Sequence, residues 1–375
     1  MSSVPAALPL ASPVCASQSA GALDDELMAR CRELGPTEAI ARTLRSARFS
    51  DEQLASDRVR SVLALAVLGR GDTPAAEQLL ATGAPGRSIE ETRLWLAANL
   101  YLACWRTPTV PDEIARLTQS LGTASTVEAV EQTAWSNLAT GCAALAYAEG
   151  LLRVADVGAA RNQLEIVANG ETLPRGLAVV ARTLLAAIEL GVGRSDLALG
   201  HLQVALHAST GLGHEDRLLR LLLIGLLFAE NRRLARAMLD DVVAGRYGAL
   251  SSELGTVARL FRLLQQIAYQ CPLTLSATIE LRQDLAWLLG RHASAGWCLL
   301  IVSVVSSALV AADETCEGYD VLIQSAAELR CRHMDGVADL LDRQLATLRG
   351  QLGPDGFEPV VREAQRRRKL RSTKD

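Results

Sequence analysis

A short pattern that recurs in the middle of the chain constrains the fold more than any other feature. Each copy places an alanine four positions before a leucine, in the pairs Ala160/Leu164, Ala198/Leu202 and Ala235/Leu239. The alanines lie 38 and 37 residues apart, and a weaker copy occupies 72–80. A period of about 34–40 residues is typical of two helices with their turns, in which small residues permit close helix packing. The pattern therefore predicts helical hairpins stacked side by side.

The composition agrees with helices, because apolar residues form 49% of the chain and aromatic residues only 4%. Most of the apolar residues are alanine and leucine, which favour helices. Apolar periodicity, interrupted by Gly, Pro, Asn or Asp, predicts helices at 23–34, 36–47, 51–69, 73–82, 88–105, 111–121, 126–151, 156–169, 174–191, 195–209, 215–230, 232–245, 250–269, 274–290, 292–311, 315–331, 334–350 and about 355–370. We predict an all-α fold, an α-solenoid of stacked antiparallel helical hairpins over 23–353. A disordered leader would precede it at 1–22, and a basic tail would follow it at 354–375.

The segment 193–206, with Ala198 and Ala205 at two small positions, resembles the turn and second helix of the tetratricopeptide repeat family. The long helices and the drifting period are similar to the divergent repeats of MalT-like and LuxR-type bacterial regulators. The resemblance implies a bacterial, regulatory, non-catalytic scaffold that binds a protein or peptide on the concave face of the solenoid. Two alternatives remain open: a ligand-sensing domain that acts on a transcription or enzyme partner, and an all-α enzyme.

Aromatic and polar residues near one another in the sequence are the candidates for partner binding. They are Arg93, Trp95, Asn99, Trp105, Arg106, Trp135 and Asn137. Aromatic side chains lining a groove would supply contact area, and the polar side chains would fix the orientation of the partner. The alternative interpretation is that the tryptophans belong to the core.

Charge is unevenly distributed along a chain whose formal net charge is −4. Basic residues are concentrated near the end, at Arg366, Arg367, Arg368, Lys369 and Arg371. An acidic body argues against a general nucleic-acid-binding surface. The tail would give at most non-specific contact with nucleic acid, or it is a solvated terminal segment. Lysine is confined to Lys369 and Lys374, and we attribute the arginine excess to genome composition rather than to chemical need.

Sequence motifs for catalysis and cofactor binding are missing from the chain. It has neither a phosphate-binding Gly-x-x-x-x-Gly-Lys-Ser/Thr loop nor a Gly-x-Ser-x-Gly elbow. Its eight cysteines are scattered, which is typical of free thiols in a reducing compartment. We predict no catalytic residues, no metal, no cofactor and a cytoplasmic location. A small-molecule ligand and an oligomer remain open, and we interpret the uncharged run 295–312 as a buried helix rather than a membrane span.

Overall fold

The computed structural model describes residues 57–68, 73–81, 88–106, 110–125, 134–210, 214–270, 274–291 and 294–372. These ranges contain helices and no strand, which confirms the all-α prediction for the described part of the chain. The helices are α1 (Asp57–Leu68), α2 (Thr73–Ala81), α3 (Ile89–Trp105), α4 (Pro111–Ser125), α5 (Ala134–Arg153), α6 (Val157–Asn169), α7 (Arg175–Gly191), α8 (Ser195–Ala208), α9 (His214–Glu230), α10 (Arg232–Val243), α11 (Ser252–Gln270), α12 (Leu275–Arg291), α13 (Ala295–Ala311), α14 (Thr315–Cys331) and α15 (Asp335–Ser372). The predicted leader and the helices predicted at 23–34 and 36–47 lie outside the described residues.

Helix boundaries follow local chemistry closely. Ser88 and Glu91 form a reciprocal capping box at the start of α3, and Pro111 is the first residue of α4, where its missing N–H costs nothing. One predicted stop is wrong, since α4 continues through Gly122 to Ser125. A Cβ at Gly122 would lie 2.9 Å from the Tyr147 hydroxyl, so this glycine serves close packing against α5 rather than helix termination.

Four three-residue connections share one turn geometry. They follow α5, α7, α13 and α14, and the middle residue of each has positive φ: Ala155, Gly193, Asp313 and His333. In each connection the third residue donates its N–H to the carbonyl five residues earlier, at 2.8 to 3.0 Å. This is the Schellman arrangement, which satisfies carbonyls at a helix end and reverses the chain direction. A repeated turn therefore joins consecutive helices into hairpins.

The alanine and leucine of each sequence repeat are fully buried in the hairpins of the middle region. All six residues, in α6, α8 and α10, have 0% exposure. The helix that carries each pair packs against the helix before it in the chain, α5, α7 or α9. The predicted packing role of the small residue and the leucine is confirmed.

Helix α13 departs from sequential stacking, because it packs against α7 and α9 and also touches α5. Almost every side chain of α13 is buried, and the helix therefore lies inside the protein. Close approach to α9 requires Gly225, where a Cβ would lie 2.3 Å from Val304 Cγ1. None of the helices in the described ranges combines the length and apolarity needed to cross a membrane.

Helix α15 consists of two parts separated at Gly353, whose φ of 66° and ψ of 173° are not helical. The first part packs on α14 and reaches back to α5, α7 and α13. Gln344 Nε2 donates to Ser303 Oγ of α13 and to the Leu190 carbonyl of α7, both at 2.7 Å. The C-terminal helices therefore connect parts of the chain more than 100 residues apart in sequence.

Candidate functional site

The predicted partner-binding residue Arg93 lies inside the protein, with 3% exposure. Its guanidinium donates to the Ala124 carbonyl at 3.0 and 3.1 Å and to Thr140 Oγ1 at 3.0 Å. Burial lowers the pKa of Arg93 below its ordinary value, and the nearby charge of Glu90 opposes this shift. Arg93 thus joins α3 to the end of α4 and to α5.

The predicted aromatic residues Trp95 and Trp105 are half-buried. Both pack against the same two apolar clusters, which α3 forms with its neighbouring helices. Asn99 donates to the Trp95 carbonyl within the same helix, at 2.9 Å. The two tryptophans therefore contact the same apolar clusters and are partly enclosed by the protein.

The remaining members of the predicted set are dispersed. Arg106 forms ion pairs with Glu77 at 3.2 Å and Glu113 at 3.3 Å, which joins α2, α3 and α4. Asn137 is half-buried near the start of α5. Trp135 lies in the same helix, but its side chain is outside the described residues.

Arginine at the carboxyl ends of helices is a feature that sequence reasoning missed. Besides Arg93, several arginines of the described residues donate to carbonyls at or just beyond a helix end. Among them are Arg182 to Ala168, Arg217 to Tyr247, Arg232 to Ala311 and Arg332 to Leu289, at 2.5 to 3.1 Å. The last carbonyls of a helix lack intrahelical donors and carry partial negative charge. A guanidinium supplies both the missing hydrogen-bond donors and a compensating positive charge. These arginines therefore have a structural role, which genome composition alone does not explain.

The most unusual polar contact is Glu149 at the N-terminus of α13. Its carboxylate accepts the Ala295 and Gly296 N–H groups, at 2.8 and 3.3 Å, and the Ser294 hydroxyl. Burial raises the pKa of Glu149 above its ordinary value, while the hydrogen bond from Ser294 and the charge of Arg153 oppose that rise. An acid at a helix N-terminus complements the helix dipole, and Glu149 thereby fixes the start of α13 on α5.

A second buried acid, Glu189 of α7, lies between two arginines. Arg161 of α6 approaches it at 3.2 Å, and Arg194, just before α8, approaches at 2.5 Å. Burial lowers the pKa of the neighbouring His201, which the charge of Glu189 partly offsets. This charge cluster joins three consecutive helices of the repeat region.

A third charged cluster connects α12, α14 and α15. Arg282 pairs with Glu317 and Asp320, whose side chains are 1% and 0% exposed. Arg368 pairs with the same Asp320, and Arg367 pairs with Glu314 at 3.0 Å. Two residues of the predicted basic tail therefore pair with acids within α14 and at its N-cap.

The other residues of the predicted basic tail differ in their exposure and contacts. Arg366 is exposed and pairs with Glu363 at 2.7 Å, and Lys369 is exposed. Arg371 lies within α15, but its side chain is outside the described residues. Arg366 and Arg367 lower the pKa of Glu363 to about 2 through hydrogen bonds. The segment after Gly353 is therefore a charged helix along most of its length.

Glu149, Glu189, Glu317 and Asp320 were absent from the sequence prediction. A usable signal existed for Glu189, since it follows five apolar residues, 184–188, and precedes a sixth, Leu190. A charge inside an apolar helical run requires a buried partner.

Among the described residues, no group of three or more His, Cys, Asp or Glu is placed to hold a metal ion. Comparisons with protein-family models, curated proteins and solved structures each found no match, so the candidate sites rest on the geometry of this chain alone.

Proposed function

We propose that this chain is a non-catalytic helical-repeat scaffold, a solenoid of the tetratricopeptide type that binds a protein or peptide partner. The observation that supports the proposal is a set of exposed apolar residues on the second helices of successive hairpins. We call this set the outer strip: Ile166, Leu197, Val204 and Leu234, which are 45 to 61% exposed. A contiguous patch of exposed apolar side chains is typical of an interaction surface.

The repeat register explains why these residues belong together. Leu197 and Leu234 each directly precede a repeat alanine, while Ile166 and Val204 each lie six residues after one. Equivalent positions in successive hairpins face the same way in a solenoid. The outer strip therefore extends across α6, α8 and α10 rather than along a single helix.

The choice of the outer strip revises the concave-face hypothesis. The first helices of the hairpins, α5, α7 and α9, would line a concave groove, and α13 packs against all three. A partner would have to displace a helix whose side chains are almost all buried. Binding to the second helices requires no such rearrangement, and we therefore assign partner contact to them.

The test compares two double variants of the tagged full-length chain in pull-downs from native lysate. Leu197→Glu with Val204→Glu places charges on the outer strip at positions 49% and 48% exposed. Val110→Glu with Val154→Glu places the same charges at positions 47% and 49% exposed, away from the strip. We expect a stoichiometric partner to bind the wild type and the control variant and to be lost from the strip variant.

Each other outcome argues against the proposal. A partner retained equally by all three chains would place binding elsewhere. A co-purifying small molecule without a protein partner would favour the ligand-sensing alternative. Circular dichroism of both variants supplies the necessary check that helix content is unchanged.

A further inference from the structure

The second part of α15, residues 354–372 and here called the C-terminal segment, lies on α14 through one amphipathic face. Phe357 packs edge-on against Tyr319, with ring centroids 5.4 Å apart, and Ala364 is 1% exposed. Val360 and Val361 contribute to the same small apolar cluster. The spacing of these residues, with steps of three or four, places them on one side of a helix.

The same face ends in two arginines that contact one acid within α14 and one at its N-cap. Arg367 pairs with Glu314, and Arg368 pairs with the buried Asp320. We call Glu314, Tyr319 and Asp320 the seat. The C-terminal segment thus binds the seat by a few apolar contacts near its start and by charge near its end.

Two features make the C-terminal segment separable from the rest of the protein. Gly353, with φ of 66°, and the following Pro354 interrupt the helix that would otherwise hold the segment rigidly. The apolar cluster at the seat is also distinct from the large core that contains α13. Release of the segment would therefore leave the main core intact.

One acid of the seat, Asp320, would keep a cation after the segment leaves. Arg282 of α12 contacts both Glu317 and Asp320, independently of α15. A buried carboxylate that lost its only cation would be strongly destabilising, but Asp320 would retain one. An emptied seat would thus remain a formed acidic and aromatic surface.

We propose that the seat is a docking site for a basic amphipathic helix of a partner protein, and that the C-terminal segment occupies it in cis. The segment itself defines the ligand chemistry: an aromatic residue, aliphatic residues three and four positions later, and paired arginines ten and eleven positions after the aromatic. This inference goes beyond the proposed scaffold function and does not involve the outer strip. A partner helix with this pattern replaces the segment and binds the same acids.

The experiment measures binding of a fluorescent peptide with the sequence of residues 354–375 to the full-length chain. In wild type the tethered segment competes at high effective concentration, so binding in trans is weak. Replacing Arg367 and Arg368 in the chain by Gln weakens that competitor, and we expect the peptide to bind at least about tenfold more tightly. Adding Glu314→Gln to that double variant should remove most of the gain, because the seat then lacks the acid that receives Arg367.

A peptide in which both arginines are replaced by Gln is the matched control and should bind poorly to every chain. Equal binding of both peptides, or no gain from the double substitution, would overturn the proposal. Self-association of the wild-type chain that depends on Arg368 would also overturn it, since the occupant would then be a second copy.

Hydrogen exchange on the unmodified chain provides an independent measurement. Ion pairs near the surface weaken with salt, so amides of 354–372 should exchange faster at high salt while those of α14 stay protected. Simultaneous exchange of α14 and the C-terminal segment at both salt concentrations would mean that the segment does not separate, and the proposal would fail.

Discussion

Replacement of Gly336 by alanine tests whether the C-terminal helices are anchored on the end of α5. A Cβ at this position would lie 2.0 Å from the Leu152 carbonyl oxygen and 2.7 Å from Ala155 Cα. Both atoms belong to the backbone, so no side chain can rotate away to make room. The start of α15 would have to move by more than about 1 Å relative to α5, given an ordinary contact distance near 3.5 Å.

The expected cost follows from this displacement. Overpacking of a well-packed interior costs about 1–3 kcal/mol and occasionally more, and a clash with rigid backbone belongs at the upper end. We expect Gly336→Ala to lower the free energy of unfolding by about 3 kcal/mol. The matched control is Gly350→Ala in the same helix, where a Cβ would meet no atom within 4 Å. Because alanine favours helix over glycine, this control should stabilise the protein by about 0.5–1 kcal/mol.

Urea denaturation followed by circular dichroism measures both effects, with m-values compared so that midpoints can be converted to free energies. Hydrogen exchange of residues 152–156 and 335–340 adds a local measurement, and Gly336→Ala should accelerate exchange there first. If Gly336→Ala were as stable as wild type, the packing of α15 on the end of α5 would be refuted.

Three further predictions concern single side chains. Arg93→Met should destabilise the protein by about 1–3 kcal/mol in urea denaturation, because the Ala124 carbonyl and the Thr140 hydroxyl lose their donor. Arg106→Met, at more exposed ion pairs, should cost less than about 1 kcal/mol, and equal losses from the two variants would contradict the capping role of Arg93. Because its pKa is raised, Glu149 binds a proton more readily in the folded state than in the unfolded state. Its favourable contribution to the free energy of unfolding is therefore present at low pH and is lost as pH rises through the folded-state pKa. In thermal unfolding, the melting temperature of wild type should therefore fall relative to that of Glu149→Gln as pH increases above about 4.5. A difference between the two melting temperatures that stays constant with pH would contradict the raised pKa of Glu149. Ala155→Gly should stabilise the protein by about 0.5–1 kcal/mol, because glycine adopts the positive φ of this residue more readily than alanine does. Ala237→Gly, at an exposed position within α10, should destabilise the protein by about 1 kcal/mol, because glycine disfavours helix. Changes of the same sign in both variants would refute the turn assigned to Ala155.

Local structure was largely predictable from the sequence. Apolar periodicity and breaker residues located α14 at its observed bounds and placed the ends of most other described helices within a few residues. The alanine and leucine pairs were correctly predicted to be buried, because a repeated spacing carries information about neighbouring hairpins. The interpretation of 295–312 as a buried helix was also confirmed, since serines 303 and 306 are enclosed by protein.

Long-range contacts were not predictable in this way. No local pattern states that Glu149 meets the start of α13, since the two lie about 145 residues apart. Arg93 looked like a polar contact for a partner, because a sequence shows a charged side chain but not the helix end that receives it. The contacts of the tail arginines were hidden for the same reason, because their acids lie within α14 and at its N-cap, about 50 residues earlier in the chain.

The packing of α13 against helices far earlier in the chain affects how the protein should unfold. In an open array each repeat contacts only its neighbours, so terminal repeats can open without disturbing the middle. Here α13 packs on α7 and α9, and α15 packs on α5 and α7. Opening of the C-terminal helices would uncover apolar surface on α5, α7 and α9, and the free energy of hydrophobic burial scales with that area. The middle hairpins and helices α13 to α15, up to Gly353, should therefore unfold as one cooperative unit, with the segment beyond Gly353 as the part that opens independently.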